Sequence, residues 1–163
     1  MSTRKHLFAV LLAASATLAG PAHADDEDDR RAGCPSISSE RSIQQVLMSH
    51  LAALQSGDAA RVACDYANDA VLILPAEAPI VGRTAIQAAH AKLFFAFAGN
   101  IRLTGPYGMP LPMVTYNRNL ALVNYVLTSN TTHIPLGVDS FVIAQGRIIG
   151  QTAVLGGMGP LPR

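Results

Sequence analysis

The sequence lacks the apolar run of ~20 residues that a bilayer-spanning helix needs; its longest, Leu7 to Gly20, is shorter. It carries little charge, 14% Asp, Glu, Lys and Arg together with a formal net charge of +1, and no basic stripe interleaved with aromatics. Nothing in that pattern calls for a nucleic-acid partner. No Gly-rich phosphate cradle and no nucleophile elbow appears, so no cofactor is expected. The histidines His50, His90 and His133 stand far apart and the two cysteines, Cys34 and Cys64, are equally separated, so no metal site is predicted.

What is present begins with an export pattern. Arg4 and Lys5 precede the apolar run, and Ala22-His23-Ala24 has the small-x-small form of a signal peptidase site, which predicts removal of residues 1–24. The protein is then periplasmic or secreted, with no membrane contact after processing. The remainder has the commonest size of a single domain. In an oxidising compartment Cys34 and Cys64 can pair, tying the segment before the first helix onto the second; two buried thiols are the alternative.

Residues 25–36 open with the charged run DDEDDRR and read as a flexible leader. Residues 37–155 read as the domain and 156–163, GGMGPLPR, as a flexible tail. Serines after Pro35 mark a helix start. Ile43, Val46, Leu47, His50 and Leu54 then recur at helical spacing, which places His50 on an apolar stripe. Gly57 suits a left-handed helix end and Asp58 the cap of a second helix, expected from Ala59 to Ala67 with Tyr66 one turn beyond Val62. A strand from Ala70 to Leu74 is stopped by Pro75. Thr84 is read as the cap of a third helix whose apolar face holds His90, Phe94 and Phe97.

Beyond Gly99 short β-rich runs alternate with turns, the pattern of an antiparallel meander, and Gly105 to Pro112 has too many prolines and glycines for regular structure. A two-residue turn at Gln145-Gly146 predicts that Asp139 faces Thr152 and Phe141 faces Gly150 across a hairpin. Asp139 then shares a sheet face with Phe141 and Ile143. A carboxyl among large apolar groups is either buried with a partner or aimed into a pocket.

The ordered set Ala53-Leu54, Gly57-Asp58, Tyr66-Ala67, Asp69-Ala70-Val71, Pro75, Gly82-Arg83 and Ala85-Ile86 resembles the nuclear transport factor 2-like superfamily, in its SnoaL-like and ketosteroid-isomerase-like branches. The resemblance implies an α+β fold: a cone-shaped, curved antiparallel sheet wrapped around a long N-terminal helix, with two further helices. It also implies a pocket between sheet and helices for a small lipophilic molecule, and a homodimer through the open sheet face. Isomerase-type members use a tyrosine, a protonated aspartic acid and an aspartate base. Those positions correspond here to His50, eight residues before Asp58, to Asp139 in Val138-Asp139-Ser140-Phe141, and to Leu74, which carries no proton. His50 and Asp139 are therefore the expected catalytic pair, with His50 or His90 in place of the missing base. Tyr66, Leu74, His90, Phe94, Phe141 and Thr152 are the expected ligand contacts. Without a base at Leu74, isomerase- or cyclase-like proton transfer competes with plain ligand binding and with an interaction module whose pocket is filled.

Overall fold

The structure is a computed structural model that describes residues 33–35 and 37–157. The expected signal, the leader apart from residues 33–35, and the tail beyond 157 lie outside the described residues.

The first helix, α1, spans Ile43–Ser56 and starts later than the serines at 36, 38 and 39 suggest. Ser42 is the cap: its hydroxyl accepts from the Gln45 amide while the Gln45 side chain accepts from the Ser42 amide. Gly57 closes α1 in the left-handed conformation, and Asp58 opens α2, Ala59–Cys64, by accepting from the amides of Ala60 and Arg61. The chain turns to strand sooner than expected. Strand β1 spans Tyr66–Ile73, so Tyr66 is a strand residue and not the last turn of a helix. After the two-residue β2, Ile80–Val81, helix α3 runs Arg83–Phe97. Its cap is Gly82, which makes no side-chain cap bond, and Thr84 sits inside the first turn.

The remaining strands are β3 Arg102–Thr104, β4 Met113–Asn117, β5 Leu120–Thr128, β6 His133–Ala144 and β7 Arg147–Gly156. With β1 and β2 they form one curved, unclosed seven-stranded sheet in the order β2-β1-β7-β6-β5-β3, with β4 also paired to β5. The later strands form the expected antiparallel meander, while β1 joins β7 in parallel. This is the α+β architecture that the sequence predicts.

The β6–β7 hairpin fixes the site. Gln145 and Gly146 both take positive φ, as a tight two-residue turn demands, and Ala144 pairs with Arg147. Gly146 has a second reason to be glycine, since a Cβ there would stand 2.3 Å from the Ser38 carbonyl oxygen. A bulge then adds one residue to β7 between the Ile143–Ile148 and Val142–Gly150 pairs. Beyond it Asp139 faces Ala153 and Phe141 faces Gln151, one residue removed from the simple register. A shift of one residue exchanges the two faces of a strand, so Gln151 points inward and Thr152 outward.

The concave face is buried: Val123, Tyr125, Phe141, Ile148 and Ala153 pack against Val46, Leu47 and Leu51 of α1 and Ile86, Phe94 and Phe97 of α3. Cys34 and Cys64 form a disulfide that ties the chain before α1 to the end of α2. Closing a loop of that length removes roughly 3–4 kcal/mol of unfolded-state entropy. Beside it Asp65 is buried, and Arg41 donates to its Oδ1 at 2.6 Å.

Candidate functional site

Between α3 and the concave face of the sheet lies a cavity of about 650 Å³. Its walls are mainly apolar, with Leu72, Leu103, Leu127, Phe94 and Phe97 among them. Ala85, Ala88 and Ala89 line it along α3, where small side chains leave the volume open. Glu77 and Lys92 also line it and are exposed, which places them at the mouth. Tyr125, Asp139 and Gln151 line it and are each buried, which places them at the deep end.

Those three groups form one hydrogen-bonded chain across three adjacent strands. Tyr125 donates its hydroxyl to Asp139 Oδ1 at 3.1 Å, and Gln151 donates from Nε2 to Asp139 Oδ2 at 2.9 Å. Tyr66, behind Gln151 on β1, donates to its Oε1 and fixes the amide so that its nitrogen faces the carboxyl. Gly137 makes the Tyr125 bond reachable. It pairs with Tyr125 across β5 and β6, and a Cβ on it would fall 2.2 Å from Tyr125 Cε2. The ring therefore lies over the glycine and leans along β6 toward Asp139.

Burial pushes the Asp139 carboxyl up to about 7, against the smaller opposing effect of the hydrogen bonds from Tyr125 and Gln151. The hydroxyls of Tyr66 and Tyr125 are likewise pushed above the usual tyrosine range, chiefly by burial, and stay protonated. Asp139 thus changes charge near neutral pH in a chain whose two tyrosines do not.

Of the two histidines, His90 reaches the cavity. Its Nδ1 lies 2.9 Å from the Ile86 carbonyl oxygen, which can only accept, so Nδ1 carries the proton and Nε2 holds a free lone pair. Burial lowers its pKa, keeping the ring neutral. His50 stands one layer back. It is fully buried, edge-on to Tyr66 and Phe141 at 5.4 Å and to His90 at 6.4 Å between ring centroids, and neither ring nitrogen has a hydrogen-bond partner. Burial first, and His90 second, push its pKa down to about 3.

The expected site residues therefore divide. Leu74, His90, Phe94 and Asp139 line the cavity, whereas His50, Tyr66 and Phe141 lie together behind its lining. Tyr66 still reaches the site through Gln151. Thr152, on the outer face, is not part of the lining; it pairs with Ser140, and the expected pairing with Asp139 is corrected by the bulge. Tyr125 and Gln151 were not anticipated. Inward alternation along β5 could have pointed to Tyr125, but Gln151 depends on a bulge that leaves no local mark. Among the described residues no group of three or more His, Cys, Asp or Glu could hold a metal ion.

No family model and no curated protein matches the chain. Solved structures do. A nuclear transport factor 2-like protein of unknown function from Burkholderia xenovorans superposes with a TM-score of 0.57 at 19% identity, over 74% of this chain and 87% of that one. A polyketide cyclase assigned as putative from Sinorhizobium meliloti gives 0.54 at 20% identity, over 67% and 93%. An epoxide hydrolase/cyclase-like enzyme of pyran ring formation in the polyether salinomycin gives 0.59 at 14% identity, over 72% and 95%. At these identities the likeness concerns the fold: the chain has the nuclear transport factor 2-like fold, the one its sequence resembles.

Proposed function

We propose that the protein binds a small lipophilic molecule in its central cavity and holds one polar group of that molecule at Asp139. The observation that carries this reading is the pairing of a large apolar cavity with a single convergent cluster of buried polar groups at its end. A side-chain-filled core would not leave that volume. Chemistry, where it occurs, is cofactor-free proton transfer. His90 Nε2 is the base, since the ring is neutral and its lone pair free, and Asp139 is the acid or anion partner. The cyclase and the epoxide hydrolase/cyclase-like enzyme that share the fold make such a role chemically reasonable.

Export fits the disulfide, which persists in oxidising compartments, and among the described residues no helix is long and apolar enough to cross a membrane. A second reading, association of two copies through the sheet, is favoured by the outer face. Ile73, Leu120, Leu122 and Val154 are exposed there, and the outward-facing rungs Leu120–Val142, Leu122–Ser140 and Asn124–Val138 carry no charged side chain. Sedimentation of wild type beside Leu122→Lys tests it; a wild-type monomer at micromolar concentration contradicts it.

The ligand reading is tested by thermal shift and native mass spectrometry of the mature protein against steroids, aromatic polyketides and small phenols, beside Asp139→Asn. Binding at 100 times the dissociation constant adds about 2.7 kcal/mol of stability, readily seen in a melt. A hit that weakens in Asp139→Asn supports the reading. No shift with any compound, and none co-purifying, contradicts it.

A further inference from the structure

The deep end of the cavity is unbalanced between donors and acceptors. Asp139 receives hydrogen bonds from Tyr125 and Gln151 and offers its remaining lone pairs. Tyr125 spends its one hydrogen on Asp139, leaving its oxygen as an acceptor. His90 spends its Nδ1 hydrogen on the Ile86 carbonyl, leaving Nε2 as an acceptor. Against these three stands one free donor, the second amide hydrogen of Gln151. A ketone or ether oxygen finds there only that amide hydrogen and, in the fraction of molecules with Asp139 protonated, the carboxyl hydrogen.

Charge points the same way. The groups held against Asp139 are Tyr125 on β5 and Gln151 on β7, with Tyr66 behind Gln151 on β1, and the neutral ring of His90 shares the cavity lining with them. None is a cation. The one cation of the described lining, Lys92, is exposed at the mouth. Tyr66 pins Gln151 so that its nitrogen, not its oxygen, meets the carboxyl, an orientation suited to the carboxylate form. A buried carboxylate with oriented donors but no counter-ion lacks one component.

The geometry points to a lipophilic amine as the ligand: its protonated nitrogen supplies the missing cation to Asp139 and its N–H groups meet the lone pairs of Tyr125 and His90, while its hydrocarbon body fills the apolar cavity. This rests on the ligand-binding reading above and specifies the chemistry of the group held at the deep end.

Titration calorimetry with three naphthyl probes of equal size decides it: 2-(1-naphthyl)ethylamine and 2-(1-naphthyl)ethanol, which share one shape, and 1-acetonaphthone. The amine is expected to bind roughly 10- to 100-fold more tightly than the alcohol, the span of a charge-assisted hydrogen bond over a neutral one, and the ketone more weakly still. Asp139→Asn should erase the amine's advantage, and Tyr125→Phe, which keeps the carboxyl, should retain most of it. The sign of the proton count needs no variant. Free Asp139, with its pKa near 7, is about half protonated at neutral pH. An ammonium ion drives that proton off, so repeating the titration at pH 7 in buffers of different ionisation enthalpy should show release of about half a proton per site. Preference for the ketone with proton uptake overturns the amine while leaving the cavity as a binding site. Binding of none of the three, with a hit from the wider panel, also overturns the amine; no hit anywhere overturns both readings.

Discussion

His50 shows most plainly how position and chemistry separate at the level of one side chain. Its spacing puts it on the buried stripe of α1, yet both ring nitrogens are there without partners, so it carries a desolvation cost that no hydrogen bond offsets. His50→Leu, similar in size and without polar atoms, is expected to stabilise the protein at pH 7 by about 1–2 kcal/mol in denaturant melts. Destabilisation instead would mean that the ring nitrogens have partners, such as a buried water. Acid sharpens the contrast. A histidine whose folded pKa lies below its unfolded value of 6.5 contributes stability that is present above that pH and is lost as pH falls toward about 3. Asp139 runs the other way: raised from 3.8 to about 7, it contributes stability that is present below 3.8 and is lost as pH rises through 7. Asp139→Asn should therefore gain on wild type steadily between pH 4 and 7 and hold a constant advantage above about 8, as read from melting temperatures. A difference independent of pH would contradict a carboxyl raised by burial.

Among the elements, α1 and α3 were legible because helical periodicity is carried by the residues themselves, and the Gly57-Asp58 corner because its cap chemistry is local. Tyr66 was not, since its one-turn spacing from Val62 imitates a helix and only pairing with Ile148 on β7 draws it into a strand. Such pairing lies far away in sequence. The site followed the same rule. Asp139 was found from alternation along its own strand, whereas its true partners were hidden, Gln151 by the bulge and Tyr125 by a contact across β5 and β6. Gly137 belongs to that same contact. Gly137→Ala places a Cβ into the Tyr125 ring and should cost about 1–3 kcal/mol by overpacking. It should also break the Tyr125–Asp139 hydrogen bond, which holds the carboxyl pKa down, so that pKa should rise in a carbon NMR titration. In a Tyr125→Phe background the same substitution should leave the pKa unmoved. A further rise there would show that Gly137 acts on Asp139 by another route.

For the whole molecule, one sheet serves two ends. Its concave face and α3 enclose the cavity, and its convex face presents an apolar surface outward. The disulfide fastens the N-terminal segment to α2, on the far side of α1 in sequence, so the long helix is held at both ends without spending cavity volume. Local choices agree with this global plan nearly everywhere, and the unpartnered polar atoms of His50, beneath the cavity floor, are where they do not. That exception sits where ligand binding is proposed.

The measurement that bears most directly on the account is the affinity of the best ligand for Ala153→Phe beside wild type. Ala153 pairs with Asp139 across β6 and β7 and lines the cavity, so a phenyl ring there fills the space next to the carboxyl without touching the outer face. The account predicts a folded protein, with an unchanged circular-dichroism spectrum, that has lost at least tenfold in affinity, about 1.4 kcal/mol. Wild-type affinity in that variant would contradict it, because the ligand would then be bound elsewhere.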